Sequence, residues 1–219
     1  GLHSDLTRPD QDTCLLFKSS PYGSVSHSHA DQNCFAIMKG GTALAIPSGY
    51  YGPFYGKPHH AKWTRATKAN NGLLVNGQGQ TIRSAAAQGE IVDFQNAPGY
   101  SYVAGDATRC YQHGRRGDLP EKCTLVTRQI VFLIPNHFVI FDRVAATDAS
   151  YRKDWLIHTA HEPKVSGRTI RADHGKGRMF CRTLLPADAA LNSVGGPGNE
   201  FRAAGRNWEI VSDGLTPES

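Results

Sequence analysis

His27-Ser28-His29 sets two imidazoles one residue apart, and Asp31 follows at the same spacing. Strand side chains alternate between faces, so a strand here would turn all three groups to one side. Imidazole exchanges protons near neutral pH and ligates transition metals, which suits such a row to proton transfer or to ion binding. His59-His60 supplies two more rings, so four of the ten histidines fall between positions 27 and 60. Between the pairs runs Ser48-Gly49-Tyr50-Tyr51-Gly52, followed by Tyr55 and Pro58. Phenols on a Gly/Pro-rich loop carry function when a rigid scaffold presents them. Tyr50 can act as a base if a neighbouring cation or metal favours its phenolate. Tyr51 and Tyr55 offer faces for stacking, and Arg65 and Lys68 offer charge for carboxylates. Each feature also has a plain reading: a surface-loop H-x-H pair, an aromatic loop covering the end of a core, and exposed strand-edge cations.

The elements that must position these groups are strands. Short runs of β-branched, aromatic and aliphatic residues alternate with Gly, Pro, Asn or Asp about every ten positions, the pattern of an antiparallel sandwich. Asn33 to Met38 and Thr42 to Ile46 flank Lys39-Gly40-Gly41, which suits a hairpin because glycine reaches positive φ without strain. Asn76-Gly77 after Leu73 to Val75 is a second such turn, and Asn96 to Gly99 a third. Thr124 to Ile134 and Phe138 to Val144, rich in Val, Ile and Phe, read as central strands. Lys153 to Thr159, Thr169 to Ala172, Arg178 to Leu185 and Trp208 to Ser212 continue the pattern. Asp106 to Glu121 reads as a long exposed loop, and the twelve prolines leave little room for long helices.

The 219 residues carry 24 Lys plus Arg against 19 Asp plus Glu, a net charge of +5 that favours polyanionic partners. No block of consecutive basic residues stands out, and no apolar run approaches bilayer length, so we expect neither nucleic acid nor membrane as partner. The five cysteines form no C-x-x-C pair; they read as buried thiols, or as a Cys110–Cys123 disulfide if the protein is exported. The chain opens on polar residues without a signal-like start and reads as a piece of something longer.

Several of these residues fall in an ordered series. Ser24-Val25-Ser26-His27-Ser28-His29-Ala30-Asp31-Gln32-Asn33-Cys34-Phe35, then Leu44-Ala45-Ile46-Pro47-Ser48-Gly49-Tyr50-Tyr51, then Trp63 to Asn71 and Val75 to Gln80, resemble the signature of the heparinase II/III-like superfamily. The resemblance implies an all-β fold: a large antiparallel β-sandwich over 1–219, without the N-terminal (α/α) toroid that relatives join to it. It implies a polysaccharide lyase acting by β-elimination on an acidic polysaccharide, with alginate the first expectation and a glycosaminoglycan the second. The cleft would lie between the sandwich and the N-terminal toroid of the parent chain, in a periplasmic or secreted protein. By the same resemblance His27 and Tyr50 are catalytic, Tyr51, Tyr55, Arg65 and Lys68 contact substrate, and His29 with His59 or His60 holds zinc or another divalent ion. Pro47 stands where the family often has an Asp ligand, and Asn70 where many relatives have His, so a metal would be held by fewer protein groups, be held with another carboxylate such as Asp31, or be absent.

Three rivals remain at this level. A cupin-like metalloenzyme would need a glutamate shortly after the H-x-H pair, and Asp31 to Phe35 contains none. A noncatalytic sugar-binding module would use the tyrosines and Trp63 without needing paired histidines. A uronyl C5-epimerase would share proton abstraction but keep the O4 linkage.

Overall fold

The computed structural model describes residues 1–49, 56–112 and 121–210. In chain order the strands are β1 (Leu2–His3), β2 (Thr13–Lys18), β3 (Cys34–Lys39), β4 (Thr42–Ala45), β5 (Leu73–Val75), β6 (Glu90–Ala97), β7 (Tyr100–Asp106), β8 (Cys123–Leu133), β9 (His137–Ala146), β10 (Lys153–Trp155), β11 (Lys164–Ser166), β12 (Thr169–His174), β13 (Gly177–Arg182), β14 (Arg202–Ala203) and β15 (Arg206–Asn207). All pair antiparallel: β1 to β4 form one four-stranded sheet, β6 to β9 another, and β11 to β13 a third. The all-β, antiparallel architecture expected from turn spacing is what the chain adopts.

Two turns follow directly from sequence. Gly40 and Gly41, at φ of 52° and 73°, close β3 onto β4, and Asn76-Gly77, at 51° and 71°, reverses the chain after β5. Both central residues need positive φ in such a turn, which Gly and Asn adopt at little cost. The main core lies between the two four-stranded sheets. Leu15, Phe35, Ile37 and Ala45 from the first meet Val103, Ile130 and Phe132 from the second. Complete burial of a large apolar side chain is worth about 1.5–3 kcal/mol. A second cluster, including Leu73, Val75, Cys110, Tyr111, Cys123 and Val126, closes the far end of β8.

Several expectations need correction. β9 is an edge strand rather than a central one, with half-buried and exposed positions alternating along it. Residues 208–210 are not strand; the chain instead makes the small β14–β15 hairpin before them. The expected exposed loop after Asp106 begins with a helical turn, Thr108–Tyr111, whose Cys110 and Tyr111 are buried. All five cysteines are free thiols, and burial pushes those of Cys34 and Cys110 up to about 12.

Candidate functional site

The H-x-H segment lies in the connection between β2 and β3, and it is not a strand. Residues 21–30 run through turns, and Ser26 sits at φ 52°, which breaks any pleat. The shared face expected for His27, His29 and Asp31 therefore does not arise from alternation. His27 is exposed, whereas His29 and Asp31 are half-buried. Asp31 forms an ion pair with Lys18.

An irregular segment must find partners for its backbone groups outside a ladder, and neighbouring segments supply them here. Arg65, only 2% exposed, donates from Nη2 to the carbonyls of Ser26 at 2.7 Å and Ser28 at 3.3 Å, one on each side of His27. The Arg65 carbonyl accepts from Ala30 N–H at 2.9 Å, and Thr67 Oγ1 donates to the Ala30 carbonyl at 2.7 Å. The Gln80 amide mimics a strand partner: its Oε1 accepts from Gln32 N–H at 2.9 Å while its Nε2 donates to the Gln32 carbonyl at 2.6 Å. Asn33 Nδ2 donates to Gly105 O at 2.8 Å. Only glycine permits that approach, since a Cβ at position 105 would stand 2.3 Å from Asn33 Oδ1. The loop is thus held from both sides with His27 at its exposed crest.

Arg65 was expected to contact substrate. Its burial and carbonyl bonds make it the loop's clamp instead. Lys68 is half-buried, and its carbonyl accepts from His158 Nε2 at 2.9 Å. Tyr50, Tyr51 and Tyr55 lie outside the described residues.

His60 begins a single wide helical turn, His60–Thr64, and its ring meets that of His29 edge-on with centroids 6.4 Å apart. Burial lowers the pKa of both. Arg65 lowers both further, Asp31 opposes the shift at His29, and the charges of Arg83 and His27 also act on His60. Two neutral imidazoles therefore share one place with an exposed third ring and two arginines. His59 behaves differently. Its Nδ1 lies 2.7 Å from the Trp208 carbonyl and its ring packs edge-on against Phe201 at 4.7 Å. Gly49 makes room for it, since a Cβ there would stand 2.9 Å from His59 Nε2. His59 ties down the C-terminal segment.

The metal implied by resemblance can be tested on these donors. Two imidazoles on one tetrahedral zinc would have centroids about 5 Å apart, given zinc–nitrogen bonds of about 2.0–2.1 Å; the observed 6.4 Å is wider. Asp31 is engaged by Lys18, Pro47 has no donor, and Asn70 Nδ2 donates to Ala66 O at 2.9 Å. The Arg65 guanidinium acts on both rings as a fixed positive charge. Among the described residues this set does not fit a divalent cation, whereas its neutral imidazoles and cations fit an anionic ligand.

Sequence reasoning missed three contributors. Arg128 is 1% exposed and sits in the core face of β8, where Val126, Ile130 and Phe132 are also buried. It pairs with Asp142 through two bonds of 2.7 and 2.8 Å, and its Nη1 donates to the carbonyls of Asn33 at 2.7 Å and Asn71 at 2.9 Å. Arg128 thereby pins the end of the histidine loop and the segment after Asn70. The signal was available, because Arg128 interrupts an otherwise apolar alternation. Gln80 gave no such signal. Arg83 is exposed at φ 58°, and Ser24 holds its loop through Ser84 O at 2.9 Å and Thr81 O at 2.7 Å. His158 belongs to the scaffold: burial pushes its pKa to about 4, and its N–H donates to Asn71 Oδ1 at 2.7 Å.

Comparison with known proteins fits this picture. The family model described as "Heparinase II/III-like, C-terminal" matches residues 3–214. No curated protein sequence matches. Heparan sulfate lyase HepC from Pedobacter heparinus superposes with a TM-score of 0.61 at 16% identity, covering 82% of this chain and 26% of that one. A mutant of the same lyase gives 0.62 at 16% with the same coverage. A heparinase III gene product gives 0.61 at 18%, again over 82% and 26%. The chain thus spans about a quarter of the length of these structures, and at such identity the likeness is one of fold. With the family model matching nearly its whole length, the chain belongs to the heparinase II/III-like family, C-terminal domain.

Proposed function

We propose that this chain supplies one wall of a uronate β-elimination site in a polysaccharide lyase, completed by an N-terminal toroid of the parent chain. The observation that carries the reading is the meeting of His29 and His60 beside exposed His27, on a loop clamped by Arg65. Elimination requires the C5 proton to leave while the neighbouring carboxylate is neutralised, and the departing O4 must gain a proton. His27, at the crest, hydrogen-bonds the carboxylate or protonates O4. Tyr50 is base or acid from the adjacent loop. Neutral His29 and His60 can donate or accept a hydrogen bond without adding charge, and Arg83 gives the substrate carboxylate or sulfate a cationic partner. A divalent ion has no assigned part in these steps.

The substrate is a uronic-acid polymer, alginate or a glycosaminoglycan. The first rests on the wording of the motif, while the second draws support from the heparan sulfate lyases that share the fold. On this reading the protein acts in the periplasm or outside the cell. The test incubates the purified parent chain with alginate, heparin, hyaluronan and ulvan, following ultraviolet absorbance of the unsaturated product. A rise with one polymer, reduced about 100-fold or more in His27→Ala, is expected for loss of a general acid–base group. Retention on glycan columns with no rise points to a binding module, and solvent deuterium at C5 without cleavage points to an epimerase; either overturns the proposal.

A further inference from the structure

We propose that His3 and Cys14, with Asp12 behind them, form a binding site for a thiophilic divalent metal ion of the zinc class. The site is separate from the imidazole cluster. It lies on the outer face of the first sheet, since Leu2 and Leu15 turn into the core while their neighbours His3 and Cys14 turn away.

His3 and Cys14 are direct cross-strand partners in β1 and β2, and His3 Nε2 stands 3.6 Å from Cys14 Sγ. Zinc bonds of about 2.0–2.1 Å to nitrogen and 2.3 Å to sulfur, at a tetrahedral angle, place two such donors about 3.5 Å apart. The pair therefore has the separation of one edge of a tetrahedral site. Donor atoms of His3, Asp12 and Cys14 all lie within 4.8 Å of one another, and among the described residues this is the one trio of its kind.

The surrounding groups fix the histidine for ligation. Asp12 Oδ2 lies 2.6 Å from His3 Nδ1. Asp12 Oδ1 accepts from Ser4 N–H at 2.8 Å, Ser4 Oγ at 3.0 Å and Asp5 N–H at 3.0 Å. Three donors already converge on Oδ1, so Asp12 is an acceptor here; His3 Nδ1 donates to Oδ2 and the Nε2 lone pair faces the sulfur. A carboxylate bonded to the far nitrogen of a ligating histidine is the recurrent second layer of zinc sites. A thiolate and this carboxylate also balance the ion's double charge.

The remaining coordination positions open on a pocket of about 240 Å³, lined by His3, Leu6, Pro9, Asp12, Cys14, Met38 and Gly41. Met38 is the β3 partner of Cys14, so its thioether continues the same cross-strand row.

The competing explanation is a plain S–H···N hydrogen bond. Titration of the reduced protein with cobalt(II) alone separates the two. The site predicts one bound equivalent with a thiolate-to-cobalt charge-transfer band. Cys14→Ser abolishes the band, and Asp12→Asn weakens binding about 10- to 100-fold. Absence of the band, or its survival in Cys14→Ser, overturns the proposal. Should Cys14→Ser fail to fold by circular dichroism, iodoacetamide labelling of Cys14 in the unaltered protein, located by peptide mass spectrometry, decides the matter. Zinc is expected to slow that labelling at least tenfold; an unchanged rate refutes the site.

Discussion

Replacing Arg128 by methionine removes the group that joins β8, β9 and both ends of the candidate site. The arginine side chain is 1% exposed and that of Asp142 13%. The substitution therefore leaves a nearly buried carboxylate without its two-pronged partner and the carbonyls of Asn33 and Asn71 without donors. Breaking a buried pair from one side costs about 3–5 kcal/mol, most of it the penalty of a stranded charge. Methionine keeps much of the volume, so the loss of packing, including the cation over the Phe35 ring at 5.3 Å, is a smaller share. The assay is urea unfolding of the wild type, Arg128→Met, Asp142→Leu and the double variant. Removing both charges relieves the stranded carboxylate, so the double variant should recover part of the loss. A single-variant cost under about 1 kcal/mol, or a double variant less stable than Arg128→Met, would refute the reasoning.

Arg65→Met should free the carbonyls of Ser26 and Ser28 and raise the titration of His29 and His60, since the cation that depresses both is gone; imidazole NMR across pH reads this, and unchanged midpoints contradict it. Stability should fall as pH drops below about 6.5, where unfolded imidazoles begin to take protons that the native ones refuse. His158, held at about 4, contributes about 3 kcal/mol to that fall, complete near pH 4, and His29, His59 and His60 shift in the same direction. Urea midpoints at pH 7.5, 6 and 4.5 measure it; a flat profile refutes it. Gly105→Ala should cost about 1–3 kcal/mol, because its Cβ would stand 2.3 Å from Asn33 Oδ1 and 2.8 Å from Phe17; a neutral result in thermal unfolding would show that the loop anchor yields freely.

What the sequence conveyed best was local. Gly40-Gly41 and Asn76-Gly77 announce their turns because the needed φ values restrict the residue types. The alternation in β8 was equally plain. Strand order is not written locally, which is why β9 reads as central but lies at an edge. The H-x-H spacing suggested a strand, yet the left-handed Ser26 carries no signal in its residue type. Arg65 reads as an exposed cation because its partners, two backbone carbonyls, belong to a loop that is irregular only after folding. His59 and His60 look equivalent as neighbours, but one is claimed by Trp208, 149 positions away, and the other by His29. Such long-range claims arise from topology, and residue spacing does not encode them.

The central claim is that the imidazoles meeting around His27 handle the uronate. Its most direct test is the rate of unsaturated-product release by the parent chain on its best polymer, compared among the wild type, His27→Ala, His60→Ala and a control, His174→Ala, whose ring bonds the Ala43 carbonyl on another sheet. The account predicts a loss of about 100-fold or more for His27→Ala, a smaller loss for His60→Ala, which supports the cluster from a buried position, with folding intact by circular dichroism, and a near-native rate for the control. Near-native turnover in His27→Ala would contradict it.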